Sequence, residues 1–229
     1  MKNIYVLICA RGGSKGIKNK NLLKLKNESL LSLAIKLGKK TKLIKDVFVS
    51  TDSKKIVREA LKHKALVPFL RPTFLSNDRS PEILVWKHAL NFLENKLDLK
   101  VDFLLILPVT SPLRKLIDIT NVIKIALRED CDVVFTGCKS NRSPYFNMVK
   151  ISKNKNVNLV CKSKSNIFFR QEAPAVYDLC TVAYVVKASF LKRTNNLYKG
   201  KTRMLEIPRH RAVDIDNKFD YKMAKFLSE

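Results

Sequence analysis

Apolar runs of strand length alternate with amphipathic segments through the first half of the chain. The six apolar residues Ile4–Cys9 predict a strand that is buried on both faces. Further runs predict strands or short extended pieces at 46–52, 65–70 and 101–107. Apolar residues at helical spacing predict helices at 29–36, 56–63, 81–96 and 117–128, with Ser29 and Ser80 as caps for the first and third. This alternation is typical of the α/β class, in which helices cover a mostly parallel sheet.

The second half of the chain has a different pattern. Asp132–Thr136 predicts another core strand, but residues 138–169 carry shorter apolar pieces among many polar residues and predict a hairpin around Met148–Ile151. Val182–Val186 returns to core-strand composition, and Lys218–Ser228 predicts a closing helix. We therefore interpret residues 1–229 as one domain with an antiparallel excursion at 138–180.

Glycines and cations follow the first predicted strand. Arg11-Gly12-Gly13-Ser14-Lys15-Gly16 continues into a segment that adds Lys18, Lys20 and Asn21. Glycines let backbone N–H groups turn toward a ligand, and the cations supply charge, so this loop predicts a phosphate site. Its spacing matches neither GxGxxG nor GxxxxGK[ST]. The alternative is an ordinary basic surface turn.

Two aspartates alternate with apolar residues near the end of the chain, in Val213-Asp214-Ile215-Asp216. In an extended segment both carboxylates would share one face, roughly 6.5 to 7 Å apart. Two such groups can hold one Mg²⁺ together with substrate phosphates. The alternative is a helix N-cap followed by an exposed acid. The alternation of Val213 and Ile215 with the acids favours a strand that has one acidic face.

Composition bounds the partners of this chain. The net charge of +25 raises nucleic acid as a candidate. We do not expect it, because the lysines are scattered and no aromatic-basic RNA-binding motif is present. No apolar run is long enough to span a membrane, and we expect no membrane partner. Five cysteines without a CxxC pair indicate free thiols in a reducing compartment, and we expect the cytoplasm.

Seven segments of this chain together resemble one enzyme family. They are ARGGSKGIKNKN, VFVSTDS, PFLRP, LPVTSPLR, SPY, RQEAPAVY and VDID. In this order and at these separations they resemble the acylneuraminate cytidylyltransferases, over essentially the whole chain. The resemblance implies a Rossmann-like nucleotidyltransferase fold, a mostly parallel sheet in a three-layer α/β sandwich. It also implies a homodimer that couples CTP to an acidic keto-sugar and releases pyrophosphate.

The same resemblance implies roles for individual residues. Residues 11, 14, 15, 20 and 21 would hold the triphosphate and ribose of CTP, with Arg11, Lys15, Lys20 and Asp214 as catalytic residues. Arg71 and Ser80 would border the base, and Asp214 and Asp216 would be ligands of the Mg²⁺ cofactor. On the sugar side the resemblance points to Arg170, Gln171 and Tyr184, in a pocket that the family often completes from the partner subunit. On composition alone, residues 170–178 are a loop.

Two departures from the family pattern fall near the implied acceptor site. Pro108-Val109 stands where the family commonly has Gln-Pro, and Cys180-Thr181-Val182-Ala183-Tyr184 stands where it has Asn-Gly-Ala-Ile-Tyr. A pocket that loses a hydrogen-bonding group should reject the ligand that needed it. N-acetylneuraminate, legionaminate-, pseudaminate- and octulosonate-like acids therefore all stay open as acceptors. A different nucleotide, or a binding protein without catalytic activity, is the remaining alternative.

Overall fold

A six-stranded sheet organises the chain, with strand order β10-β6-β9-β5-β1-β4. The structure is a computed structural model, and it describes residues 2–163 and 166–229. The strands are β1 Ile4–Cys9, β2 Lys24–Leu25, β3 Glu28–Ser29, β4 Ile44–Ser50, β5 Phe103–Ile106, β6 Val133–Lys139, β7 Val149–Ile151, β8 Val157–Leu159, β9 Tyr177–Lys187 and β10 Thr202–Glu206. The helices are α1 Leu30–Lys40, α2 Lys54–Lys62, α3 Glu82–Asn95, α4 Leu116–Arg128, α5 Ala188–Arg193 and α6 Lys218–Ser228.

Strand directions confirm a mainly parallel sheet. β1 pairs in parallel with both β4 and β5, and β10 pairs in parallel with β6. β9 runs antiparallel between β5 and β6. The piece at 65–70 adds isolated parallel bridges at Phe48 and Leu66 and at Thr51 and Leu70, so it lies along β4 without forming a full strand.

Helices cover both faces of the sheet because β1 alternates its buried side chains between two cores. Ile4, Val6 and Ile8 belong to the core under α1, α2, α4 and α6. Tyr5 and Leu7 belong to the core under α3 and α5. Both faces are buried, which explains the uninterrupted apolar composition of this strand.

Helix starts were predicted correctly in one of two cases. Ser29 caps α1, and its side chain accepts a hydrogen bond from the backbone N–H of Ser32. The prediction for Ser80 is wrong, because Pro81 occupies the cap position of α3 and Ser80 donates its hydroxyl to the Phe74 carbonyl at 2.6 Å. The polar side chain is used to close the preceding turn instead.

Four elements were not predicted from the sequence: β2, β3, α5 and β10. α5 is only six residues long, and β10 alternates charged with apolar residues as Thr-Arg-Met-Leu-Glu. β10 lies at the edge of the sheet and pairs with β6 alone, so a continuous apolar run is not required there.

The predicted hairpin is present between β6 and β9. β7 and β8 form a separate two-stranded antiparallel sheet, and every residue of both strands is exposed. Within the described residues, no helix has the length and apolar content needed to cross a bilayer.

Candidate active site

A two-lobed crevice lies where β1 and β5 end. Polar segments at the carboxyl ends of parallel strands meet at one edge of the sheet, and ligands of open α/β sheets bind there. The large lobe has a volume of about 470 Å³ and the small lobe about 270 Å³. Cys9, Arg11, Asp78 and Glu82 line both lobes, so the two are continuous.

The two lobes divide the predicted site residues between them. Besides the four shared residues, the large lobe is lined by Ser14, Lys15, Gly16, Lys20, Asn21, Pro108, Val109, Thr110, Thr181 and Asp216. The small lobe adds Arg71, Leu75, Asn77, Ser80 and Val85. Eight of the twelve predicted site residues thus line one crevice, although the chain separates Arg11 from Asp216 by about 200 positions.

The cation loop, residues 11–21, faces an aspartate from across the crevice. Arg11 Nη1 lies 2.6 Å from Asp78 Oδ1, and Lys15 pairs with the other oxygen of the same carboxylate. Hydrogen bonds from Lys15 and then Arg11 hold the pKa of Asp78 below its ordinary value. Because the aspartate and Lys15 are exposed, these contacts can exchange for a ligand's phosphate oxygens.

Gly16 in the cation loop is required by close approach of two backbone segments rather than by an unusual backbone angle. None of the glycines in the described residues has a positive φ. A Cβ on Gly16 would overlap the carbonyl oxygen of Asp216, which means that only glycine lets these two backbones touch. The Gly12 N–H donates to Asp52 Oδ1 at 2.8 Å, which ties the loop to the end of β4.

The far end of the cation loop is anchored more firmly. Asn21 is buried, lies in a 3₁₀ turn at Lys20–Leu22, and donates its side-chain amide to the Arg11 carbonyl at 2.9 Å. Lys20 Nζ reaches Asp216 Oδ1 at 2.9 Å. This contact joins the cation loop to the acidic segment, which we define as residues 211–216.

The acidic segment forms no strand, so the prediction of a strand with one acidic face is wrong. It follows a 3₁₀ turn at Arg209–Arg211 and leads into α6, which Asn217 caps. Ile215 is fully buried, and its N–H donates to the Thr110 carbonyl at 2.9 Å. The apolar alternation arises from packing of single side chains on the core rather than from strand pairing.

Asp214 and Asp216 differ in their surroundings. Asp216 is largely exposed and pairs with Lys20, whereas Oδ1 of Asp214 is buried and has no hydrogen-bond partner. The negative charge of Asp214 contributes to raising the pKa of Glu82, for which burial is the larger cause. Asp214 thus acts electrostatically on Glu82, which lines both lobes, although Asp214 itself is not part of either lining.

The buried cation Arg114 interacts electrostatically with Asp214. Burial lowers its pKa to about 9, and the charge of Asp214 opposes that shift, so the guanidinium stays charged at neutral pH. It donates to the carbonyls of Ser111 and Pro108, while Nη1 has no partner. Arg114 thereby fixes the turn after β5 that lines the large lobe.

The two aspartates fit a Mg²⁺ ion. Mg²⁺ takes oxygen ligands and is commonly held by one or two carboxylates together with substrate phosphates. Asp214 offers a buried carboxylate oxygen that has no hydrogen-bond partner. Two residues later, Asp216 offers an exposed carboxylate. Within the described residues no cluster of three or more His, Cys, Asp or Glu side chains forms, so an all-protein metal cage is absent there.

Arg71 and Cys9 both line the small lobe. Arg71 is buried and donates to both the hydroxyl and the carbonyl of Ser50, at 3.1 and 2.5 Å, so it closes the carboxyl end of β4. Cys9 lies beside it, and burial raises the pKa of this thiol to about 12. The lining of the small lobe therefore includes the neutral thiol of Cys9 and the fixed guanidinium of Arg71.

The predicted acceptor residues do not come together within one chain. Arg170 and Gln171 line a separate cavity of about 440 Å³, together with Lys139 and Arg142. Tyr184 packs its ring against Trp86 and Phe135, with centroids 6.0 Å apart in both pairs. Tyr184 is thus not part of the lining of either lobe, and burial raises the pKa of its hydroxyl.

Sequence reasoning missed four residues that shape the crevice: Asp78, Glu82, Arg114 and Thr181. Asp78 and Glu82 lie in a loop and a first helical turn without any motif spacing. Arg114 stands in the Thr-Ser-Pro-Leu-Arg segment that carried part of the family resemblance, so this motif was the available signal. Thr181 shares a hydrogen bond with Ser111 at 2.6 Å, which only the antiparallel placement of β9 allows.

Comparisons with known proteins agree on one family. The model of a family described as Cytidylyltransferase matches residues 5–221. Post-translational flagellin modification protein B of Campylobacter coli is 34% identical over 228 residues, which cover 99% of this chain and 95% of that protein. CMP-N,N'-diacetyllegionaminic acid synthase of Campylobacter jejuni is 35% identical over 228 residues with the same coverage. CMP:2-keto-3-deoxy-manno-octonic acid synthetase, solved with CTP, shares the fold with a TM-score of 0.70 and 12% identity over 99% of this chain and 98% of that one.

Proposed function

The chain belongs to the cytidylyltransferase family, and from that premise we propose that it transfers CMP from CTP to a nonulosonic acid of the N,N'-diacetyllegionaminate type. The relative that shares 35% of its residues over 99% of the chain carries this acceptor in its name. The observation that carries the proposal is the contact between Lys20 and Asp216, which brings the cation loop and the acidic segment to one crevice. Such a site can hold a triphosphate between cations and a metal.

The reaction we propose is an in-line displacement at the α-phosphorus of CTP. The anomeric hydroxyl oxygen of the sugar acid forms the new P–O bond, and the bond from the α-phosphorus to the bridging oxygen of pyrophosphate breaks. The hydroxyl proton leaves with solvent or a base, and negative charge builds on pyrophosphate. Arg11, Lys15 and Lys20 would hold and stabilise that charge.

The cation loop would exchange partners when the nucleotide binds. Arg11 and Lys15 leave Asp78 for phosphate oxygens, and the anchored Asn21 keeps the loop in place. Asp214 and Asp216 would hold Mg²⁺. When bound, that ion neutralises phosphate charge and lowers the pKa of a coordinated hydroxyl. The small lobe, with Arg71 and Ser80, would receive the base.

Pyrophosphate release tests the reaction directly. We expect release from CTP that requires Mg²⁺ and an acceptor, fastest with N,N'-diacetyllegionaminate in a panel that includes pseudaminate, N-acetylneuraminate and an octulosonate. UTP, ATP and GTP serve as nucleotide controls. If the folded protein binds CTP and releases no pyrophosphate with any acceptor, the enzymatic proposal is wrong.

A homodimer would complete the acceptor site in this proposal. The excursion exposes several large apolar side chains, which is unusual for a segment that faces water; they include Ile151, Val157, Phe168 and Phe169. Its cavity carries Arg142 and Arg170, cations suited to a sugar carboxylate. A second chain that covers the apolar surface could bring this cavity to the partner's crevice.

Mixed dimers can test that arrangement. Asp214→Asn and Arg170→Ala chains would each be inactive alone. If each site takes Asp214 from one chain and Arg170 from the other, equal mixing restores about one quarter of wild-type activity, because half of the dimers carry one intact site. Absence of recovery, with mixed dimers demonstrated by mass, would place both residues in one chain.

We also propose a cytoplasmic location. All five cysteines have free thiols, and three of them are buried. Free buried thiols fit a reducing compartment, where CTP is also available. Fractionation of cells, followed by detection of the protein, tests this location.

A further inference from the structure

α6 divides its surface into three sectors. At about 100° per residue, Lys218, Lys222 and Lys225 fall on one side of the helix. A second sector carries the apolar side chains Phe219, Met223, Phe226 and Leu227. The third sector faces the protein body and contains Tyr221 and Ala224.

The inward sector alone attaches the helix to the fold. Ala224 is fully buried, and the Tyr221 hydroxyl donates to the Lys24 carbonyl at 2.5 Å. A reciprocal capping box with Asn217 and Asp220 fixes the first turn. The other two sectors are therefore not needed to hold α6 in place.

The apolar sector points into solvent. Phe219 and Phe226 are each 69% exposed, and Met223 and Leu227 are 38% and 40% exposed. Four large apolar side chains in one stripe, at positions i, i+4, i+7 and i+8, form a continuous face that the rest of the described chain does not cover.

Lysines border this apolar face, and Lys225 Nζ lies 4.7 Å from the centroid of the Tyr221 ring. Lys218, Lys222 and Lys225 are exposed, and in the part of the chain that the structure describes none of them lies within 4 Å of a carboxylate. Lys24 and Lys26, exposed on the β2–β3 hairpin that α6 contacts, extend the same positive surface. A helix with Phe and Leu on one side and lysines beside them is typical of segments that lie in a membrane interface.

We propose that the outer face of α6 docks on an anionic phospholipid surface. Phenylalanine and leucine side chains would enter the headgroup region, and the lysines would contact lipid phosphates. The alternative partner for this face is a second copy of the chain, and the positive charge of the lysine sector disfavours it. In an antiparallel two-fold contact between α6 helices the lysine sectors would lie side by side and repel each other.

The proposal revises the expectation of no membrane partner. That expectation rested on the absence of a spanning segment, and no helix in the described residues could span. Periodicity predicted helix 218–228 correctly but could not tell which apolar residues the body would bury. Only one of three sectors packs, and this leaves an interfacial face on an otherwise globular protein.

Vesicle co-sedimentation of the intact protein tests the proposal. We expect binding to vesicles that contain phosphatidylglycerol, weak binding to pure phosphatidylcholine, and loss of binding as salt is raised. Phe219→Ala/Phe226→Ala should weaken binding at least tenfold, because it removes the two largest side chains that would be buried in the lipid. Lys218→Gln/Lys222→Gln/Lys225→Gln should weaken it on the order of 100-fold, at about fivefold per lysine.

Matched variants on the opposite face of the sheet control for hydrophobicity and net charge. Phe74→Ala removes an equally exposed phenylalanine, and Lys96→Gln/Lys100→Gln/Lys199→Gln removes the same charge. Both should bind vesicles like the wild type, and turnover without vesicles should be unchanged in every variant. The proposal is wrong if the wild-type protein does not bind anionic vesicles or binds neutral vesicles equally well. It is also wrong if the control variants lose binding as much as the α6 variants do. A change of mass in solution caused by Phe219→Ala/Phe226→Ala also overturns it, and would assign the face to a second protein chain.

Discussion

The cation loop and the acidic segment both lack regular strands, yet they are held by different kinds of contact. The cations Arg11 and Lys15 rest on an exposed aspartate, Asp78. The acidic segment is fixed by a fully buried Ile215 and by an ion pair between Arg211 and the buried Asp118 at 2.9 Å. Exposed ion pairs contribute little and exchange easily, whereas buried contacts keep their geometry.

The difference suggests a division of labour within the crevice. The wall that would hold a metal is positioned by the core before any ligand arrives. On the wall that would hold phosphates, Arg11 and Lys15 are already in position, but they are paired with Asp78, which a ligand can displace. Substitutions on the two sides should therefore have different effects, and five of them test this difference.

Asp214→Asn should have the largest effect. Removal of one carboxylate charge from the fixed wall is expected to lower kcat by at least about 10³-fold, the upper end of single electrostatic contributions. Thermal unfolding should stay near wild type, since the new amide retains the volume. Steady-state kinetics over a range of Mg²⁺ concentrations measures both kcat and the metal requirement. Unchanged turnover would remove Asp214 from the site.

Lys15→Ala should lower kcat by on the order of 10²–10³-fold, because one donor to the pyrophosphate charge is lost. Lys15 is 81% exposed, so the free energy of unfolding should not change. Lys18→Ala, in the same loop but outside the crevice lining, is the matched control. A rise in the KM for CTP with an unchanged kcat would show that Lys15 binds the ground state only.

Arg211→Ala should destabilise the protein by about 2–3 kcal/mol, because it leaves the carboxylate of Asp118 buried without its cation. Arg209→Ala, two residues earlier, breaks an exposed pair with Asp178 and should cost less than about 1 kcal/mol. Urea unfolding of both variants measures the contrast. Equal losses would mean that the acidic segment is not fixed by the buried pair.

Asp78→Asn should lower the KM for CTP by up to about fivefold, because the carboxylate no longer competes with the triphosphate for Arg11 and Lys15. The lowered pKa of Asp78 means that it is ionised throughout the usual assay range. Asp98→Asn, exposed before β5 and away from the crevice lining, removes the same charge as a control. A raised KM would indicate that Asp78 assists nucleotide binding.

Glu82→Gln should have the smallest effect, visible as a pH dependence. Burial raises the pKa of Glu82 in the folded state, so ionising this group costs stability as pH rises from its unfolded pKa through the folded one. Glutamine lacks that cost. The variant should be more stable than wild type at pH 7, by less than about 1 kcal/mol because solvent reaches the carboxylate, and the gain should vanish near pH 4. Thermal unfolding at both pH values measures the difference.

The core strands and the crevice cations were predictable because their signals are local. Ile4–Cys9 is apolar throughout, and a strand buried on both faces requires that composition. The cation loop follows it directly. The requirement for Gly16 was not predictable, because it arises from contact with the backbone of Asp216, two hundred positions away.

The acidic segment shows the opposite case. Its alternating pattern predicted a strand, but the chain there packs Ile215 on the core and pairs with no strand. The exposure of the α6 stripe and the separation of Arg170 from the crevice likewise have no sequence signal. Each depends on which surfaces meet after folding.

The amino-acid sequence is sufficient to predict the α/β class, the first strand followed by a basic glycine-containing loop, and the residue types of the crevice. These follow from periodicity and charge over a few neighbouring residues. The pairing of charges could be seen only after folding: Lys20 with Asp216, Arg11 with Asp78, and Arg211 with Asp118. Ion pairs between distant residues carry no local pattern, because the energy that selects them arises after the core has brought the segments together.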